Sequence, residues 1–207
     1  MFFKFLVYNK FKSKKWSKLS YSERLRVCQK LEKIESKKLK RPEYQILIKD
    51  LDELNLAGQC SSATHQLVLD DDYIKVDNKR FELMDVIFHE GRHAYQYKKI
   101  NEKKKHSIFS KAYKWKKNYE GYVDSSECGD IKSFYAMQPI ELDANKYALK
   151  RLKSFKSRFK KEADYVNTVN YYQYRLKERQ QEAKEELGVF YKLKVANRNR
   201  KERRNNK

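Results

Sequence analysis

The chain has 207 residues and a formal net charge of +21, from 49 Lys and Arg against 28 Asp and Glu. With 40% hydrophobic and 14% aromatic residues it has enough apolar surface to pack one domain despite 37% charged content, which excludes wholesale disorder. No apolar run approaches the roughly 18 residues of a membrane span, and Cys28, Cys60 and Cys128 lack C-x-x-C spacing, so no transmembrane segment, disulfide framework or cysteine-built zinc ribbon is expected, and a reducing cytoplasmic compartment is.

Residues 1–19 hold six Lys and no acid, and residues 191–207 hold eight Lys and Arg against Glu202 alone. They read as a basic aromatic N-terminal arm and a basic C-terminal tail around a domain at 20–190. Such ends add salt-sensitive, sequence-independent attraction to polyanions, so weak non-specific nucleic-acid binding is an expectation, although no nucleic-acid motif is present. Ser20-Tyr-Ser-Glu23 forms a capping box, and Leu25, Val27, Cys28, Leu31 and Ile34 continue it as an amphipathic helix up to Lys40-Arg41-Pro42. Tyr44–Lys49 reads as a strand and the region of Gly58 as a turn. Gln66–Leu69 and Tyr73–Val76 read as a hairpin around Asp70-Asp71-Asp72.

Asp77 or Asn78 is placed to cap a helix from about Lys79 to about Tyr97, whose centre is apolar nearly all round and therefore buried. Residues 98–137 read as a loop-rich insertion with some helix. Pro139 suits the first position of a helix with the stripe Ile140, Ala144, Tyr147, Ala148, Leu152 and Phe155, and a last helix should span Ala163 to Leu187 and stop before Gly188. The fold class expected is α+β.

Polar residues inside a buried helix require a reason, and here they are His89-Glu90-Gly91-Arg92-His93. Residues four apart share a helix face, so both imidazoles can address one ion while Glu90 faces a water on it. Catalytic zinc takes a third protein ligand and lowers the pKa of a water to about 7. Lys99 and Gln96 stand where a metzincin has its third His and a Gly. Glu141, in the first turn of the later helix and beside its apolar stripe, is the better third ligand. Asp143 should project to the far side of that helix, and His106, Asp124, Glu127 and Asp130 remain as substitutes.

The stretches Ile74-Lys-Val-Asp77, Phe88-His-Glu-Gly-Arg-His-Ala-Tyr-Gln96 and Pro139-Ile-Glu-Leu-Asp-Ala-Asn-Lys-Tyr-Ala148 resemble the zincin metallopeptidases of the gluzincin type. The likeness is closest to small zincin-like domains of bacterial mobile elements, phages and polymorphic toxins, and more distant to ImmA/IrrE-type peptidases. It covers roughly residues 64–150. It implies a small mixed sheet beside the H-E-x-x-H helix, Zn2+ held by His89, His93 and Glu141, and Glu90 as general base. Thermolysin-like gluzincins have Asp where this chain has Asn145, so the partner of one imidazole N–H is either Asn145 or Asp85.

The first functional reading is a zinc peptidase acting on a peptide or protein that lies extended along Tyr73–Val76, with Arg92, His106, Tyr122 or Tyr135 as donor to the transition state. The alternative is a basic nucleic-acid-associated protein that uses the fold as a non-catalytic scaffold. Tyr95, Tyr97 and Tyr147 read as packing residues and Cys28 as a small core residue.

Overall fold

The computed structural model describes residues 2–51, 56–102, 107, 109–123 and 132–205. The stretch read as an arm packs on the domain: α1 (Phe2–Lys10), α2 (Ser13–Trp16) and the link between them bury Val7, Tyr8, Phe11 and Trp16, while all six lysines stay exposed. Helix α3 (Tyr21–Leu39) opens on the expected capping box, with the Glu23 carboxylate accepting from the Ser20 N–H at 2.8 Å, and ends at a left-handed Lys40. Its apolar stripe faces the core, as do Glu32 and Glu35, 0% and 1% exposed. Each acid is neutralised there. Arg41 forks onto both oxygens of Glu32 at 2.6 Å, and Arg151 bonds both oxygens of Glu35.

Strands β1 (Gln45–Lys49), β2 (Gly58–Ser61) and β3 (Gln66–Asp70) form a mixed sheet in the order β1-β3-β2, with β1 parallel and β2 antiparallel to β3. Strand β2 falls where a turn was read, because Gly-Gln-Cys-Ser has no apolar alternation to announce it. The strand expected at Tyr73–Val76 is instead mostly helix α4 (Asp71–Lys75). Asp70 caps it by accepting from the Asp72 N–H at 3.0 Å, and Asp71 and Asp72 occupy the first turn, where the helix dipole favours acids. The three aspartates start a helix instead of turning a hairpin.

A 3-10 turn at Asp77–Lys79 leads into α5 (Arg80–Ile100). The helix has no side-chain cap, since its N-cap position is Lys79, and Asp77 is paired with Arg24. Phe81, Leu83, Met84, Ile87 and Phe88 are all 0% exposed, and each such burial contributes about 1.5–3 kcal/mol. Helices α6 (Lys111–Glu120), α7 (Lys132–Met137), α8 (Pro139–Lys153), α9 (Lys156–Phe159) and α10 (Ala163–Asn205) follow. Helix α10 runs through Gly188, where a stop was expected; an interior glycine costs only about 1 kcal/mol, too little to end it.

Helix α5 sits at the centre, packed against β2, β3, α3, α8 and α10. Ala144 and Ala148, 0% and 1% exposed, let α8 approach α5 closely. The result is an α+β, zincin-like architecture with a small mixed sheet beside the H-E-x-x-H helix. Among the described residues no helix is long and apolar enough to cross a membrane.

Candidate active site

His89 and His93 lie one turn apart on α5, and the approach of α8 brings Glu141 opposite them. The ligand atoms of the three all lie within 4.8 Å of one another. The two Nε2 atoms are 3.0 Å apart, Glu141 Oε2 is 3.3 Å from His89 Nε2, and Glu141 Oε1 is 3.4 Å from His93 Nε2. Tetrahedral zinc with bonds of about 2.0–2.1 Å sets its ligand atoms about 3.3 Å apart, so these side chains already stand at ligand spacing. Charge points the same way. Burial alone would raise the Glu141 carboxyl, yet His93 and His89 hold it well below the usual range. Burial opposes charge on His93, but the Glu141 carboxylate overrides it and pushes the imidazole up to about 9. The cluster favours added positive charge, which a divalent cation supplies. His106, Asp124, Glu127 and Asp130 lie outside the described residues.

Glu90 is 8% exposed. Burial raises its carboxyl; His89 and His93 oppose the rise, Glu141 adds to it, and the Cys60 backbone N–H favours the charged form. Glycines set this geometry at two points. A Cβ at Gly58 would lie 2.5 Å from Val86 Cγ1, so only glycine lets β2 rest this close to α5. A Cβ at Gly91 would lie 2.7 Å from Arg41 Nη2, and Arg41 Nε donates to the Gly91 carbonyl at 2.9 Å. The buried Arg41–Glu32 pair thus grips the helix between the two histidines.

Gln96 holds His93, a role the sequence reading missed although three-residue helical spacing points to it. Its Oε1 lies 2.9 Å from His93 Nδ1, and its Nε2 donates to the Ile140 carbonyl at 2.9 Å and to Asp143 at 3.1 Å. The amide oxygen accepts, so Nδ1 carries the proton and Nε2 is the nitrogen turned to the cluster. Asp143 was expected on the far side of α8; it faces α5, where Arg92 donates to it at 2.6 Å. That pairing keeps Arg92 over the rings of Tyr95, Trp115 and Tyr147, with its guanidinium committed to Asp143. Tyr122 and Tyr135 do reach the site: Tyr122 donates to Glu141 Oε1 at 2.8 Å and lies 3.0 Å from the Tyr135 hydroxyl. Asp85, one turn before His89, and Asn145, one turn after Glu141, line one cavity, and among the described residues Asp85 Oδ1 has no hydrogen-bond partner.

His89-Glu90-x-x-His93 together with Glu141 matches the gluzincin H-E-x-x-H…E signature of zinc metallopeptidases, carried on α5 and α8 of a zincin-like fold. The His-His-Glu set is the zinc-binding triad of that class. No family model, curated protein or solved structure matches the chain.

Proposed function

We propose that this chain hydrolyses peptide bonds with a zinc ion held by His89, His93 and Glu141, and with Glu90 as general base. The observation that carries the reading is the convergence of three ligand atoms within 4.8 Å beside a buried glutamate. Zinc bound there supplies Lewis acidity, bringing the pKa of a water to about 7 and polarising the scissile carbonyl. Glu90 takes the proton of the attacking water and delivers it to the leaving amine. Its burial beside the two imidazoles keeps the carboxyl that shuttles this proton away from bulk water.

The peptide substrate lies along β2, an edge strand of the sheet among the described residues. Tyr73–Val76, first expected in this role, is largely helical and presents no ladder. The Asp70 N–H donates to the Ala57 carbonyl, and Gly58 pairs with Leu69 and Cys60 with Leu67. Antiparallel alternation then turns the backbone groups of Gly58 and Cys60 away from β3; the Cys60 N–H meets the Glu90 carboxylate, and the outward groups beside it are where an extended peptide can add as a further strand. The test is cleavage of a mixed peptide pool by the zinc-loaded full chain. Cleavage abolished by a chelator and restored by zinc supports the reading. A zinc-replete, folded protein that cleaves nothing overturns it.

A further inference from the structure

A cavity of about 90 Å³ lies among α5, α8 and α10. Its walls include Asp85, Asn145, Leu149, Arg175, Leu176 and Arg179. Asp85 precedes His89 by one turn and Asn145 follows Glu141 by one turn, so two residues of its wall each stand about 5.4 Å along their helix from a ligand of the metal site. Asp85 is 8% exposed, and among the described residues its Oδ1 has no hydrogen-bond partner; the buried Arg179 Nε has none there either. One acceptor and one donor therefore border the same space without satisfying each other. Leaving either unpaired costs about 1–3 kcal/mol, which marks a place built for an occupant.

The chemistry of that occupant follows by elimination. Arg175 is already bonded to Glu178 at 2.5 Å, and the buried unpaired atoms of the lining are Asp85 Oδ1 and Arg179 Nε. A Lys or Arg side chain meets Arg179, an Asp or Glu meets Asp85, and an apolar side chain leaves both atoms unpaired. Waters, at about 30 Å³ each, can fill the space and pair with both atoms, so a side chain that displaces them has to reproduce a donor and an acceptor. A carboxamide is neutral, carries a donor and an acceptor on one end, and has methylenes for Leu149 and Leu176.

We propose that this cavity is the specificity pocket of the peptidase and takes the side chain of an Asn or Gln next to the scissile bond, its NH2 donating to Asp85 Oδ1 and its carbonyl accepting from Arg179 Nε. The inference rests on the peptidase reading above. A site that hydrogen-bonds a polar group rejects analogues lacking it far more strongly than an apolar pocket rejects a missing methylene.

The zinc-loaded full chain is incubated with a degenerate peptide library, and cleavage sites are read by mass spectrometry. Asn and Gln should be enriched at least about tenfold over Leu, Asp and Lys at one position flanking the cut, and Arg179→Met should move the preference toward Lys and Arg. Circular dichroism establishes that the variant is folded. Cleavage without Asn or Gln enrichment, a preference for His, or a preference untouched by Arg179→Met overturns the pocket assignment and leaves the peptidase standing. If no peptide is cut, the peptidase reading fails, and binding of N-acetyl-glutamine amide, followed by NMR, decides the pocket. Affinity above that for N-acetyl-norleucine amide, lost in Arg179→Met, upholds the assignment, and equal affinities overturn it.

Discussion

The Tyr122 hydroxyl donates to Oε1 of Glu141 at 2.8 Å, on the oxygen that faces His93. Burial and the neighbouring carboxylate both raise this phenol, so it stays a proton donor at any working pH. Tyr122→Phe deletes the donor and keeps the ring. Zinc affinity, measured by competition with a chromophoric chelator, should fall by about 10- to 100-fold, the usual worth of a group that holds a ligand in place. An unchanged Kd would show that Glu141 is positioned by α8 alone.

Glu141→Ala leaves two imidazoles and no carboxylate. Zinc content of the purified protein should collapse, with the helical circular dichroism retained, because two protein ligands under-coordinate the ion. Asp143 cannot take over while Arg92 and Gln96 hold it. Full zinc in this variant would place the third ligand elsewhere.

Glu90→Gln preserves the volume and removes the base. Zinc should remain stoichiometric, while kcat/KM on a cleaved peptide falls by about two to four orders of magnitude. A folded, zinc-replete Gln variant with wild-type turnover would end the general-base assignment.

Glu32→Gln takes the charge from a pair whose side chains are both 0% exposed, leaving the Arg41 guanidinium buried without its counter-ion. The loss should be about 3–5 kcal/mol in urea unfolding of the zinc-free protein. Since Arg41 also binds the Gly91 carbonyl between the histidines, zinc affinity should weaken in parallel. A loss under about 1 kcal/mol would mean that the amide replaces the carboxylate on Arg41.

Burial pushes Asp85 up to about 7 from the ordinary 3.8, with His89 opposing and Glu82 adding to the rise. A raised acid contributes its stability in full below the unfolded pKa and loses it as pH climbs through the folded one. Between pH 4 and pH 8 the zinc-free wild type should therefore lose on the order of 4 kcal/mol relative to Asp85→Asn. Equal pH slopes for the two proteins would show that Asp85 ionises freely.

Local chemistry made much of this protein legible from its residues. A capping box satisfies its own N–H groups, so Ser20 and Glu23 announce α3 without reference to anything distant. Four-residue spacing on a helix sets His89 above His93 whatever surrounds them, and Pro139 with the alanine stripe carries Glu141 to the same face. The H-E-x-x-H helix and its third partner were readable for that reason. Tertiary structure decided what depends on a partner far along the chain. Gly58–Ser61 becomes a strand because β3 offers it a ladder, and Tyr73 enters a helix because Asp70, ending that same strand, caps the turn. Spacing puts Glu32 and Glu35 on the apolar face of α3, but that Arg41 and Arg151 meet and neutralise them there depends on residues brought in by the fold. The demands of Asp85 and Arg179 likewise become visible only once α10 is laid against α5, since whether a polar atom is satisfied depends on its neighbours in space.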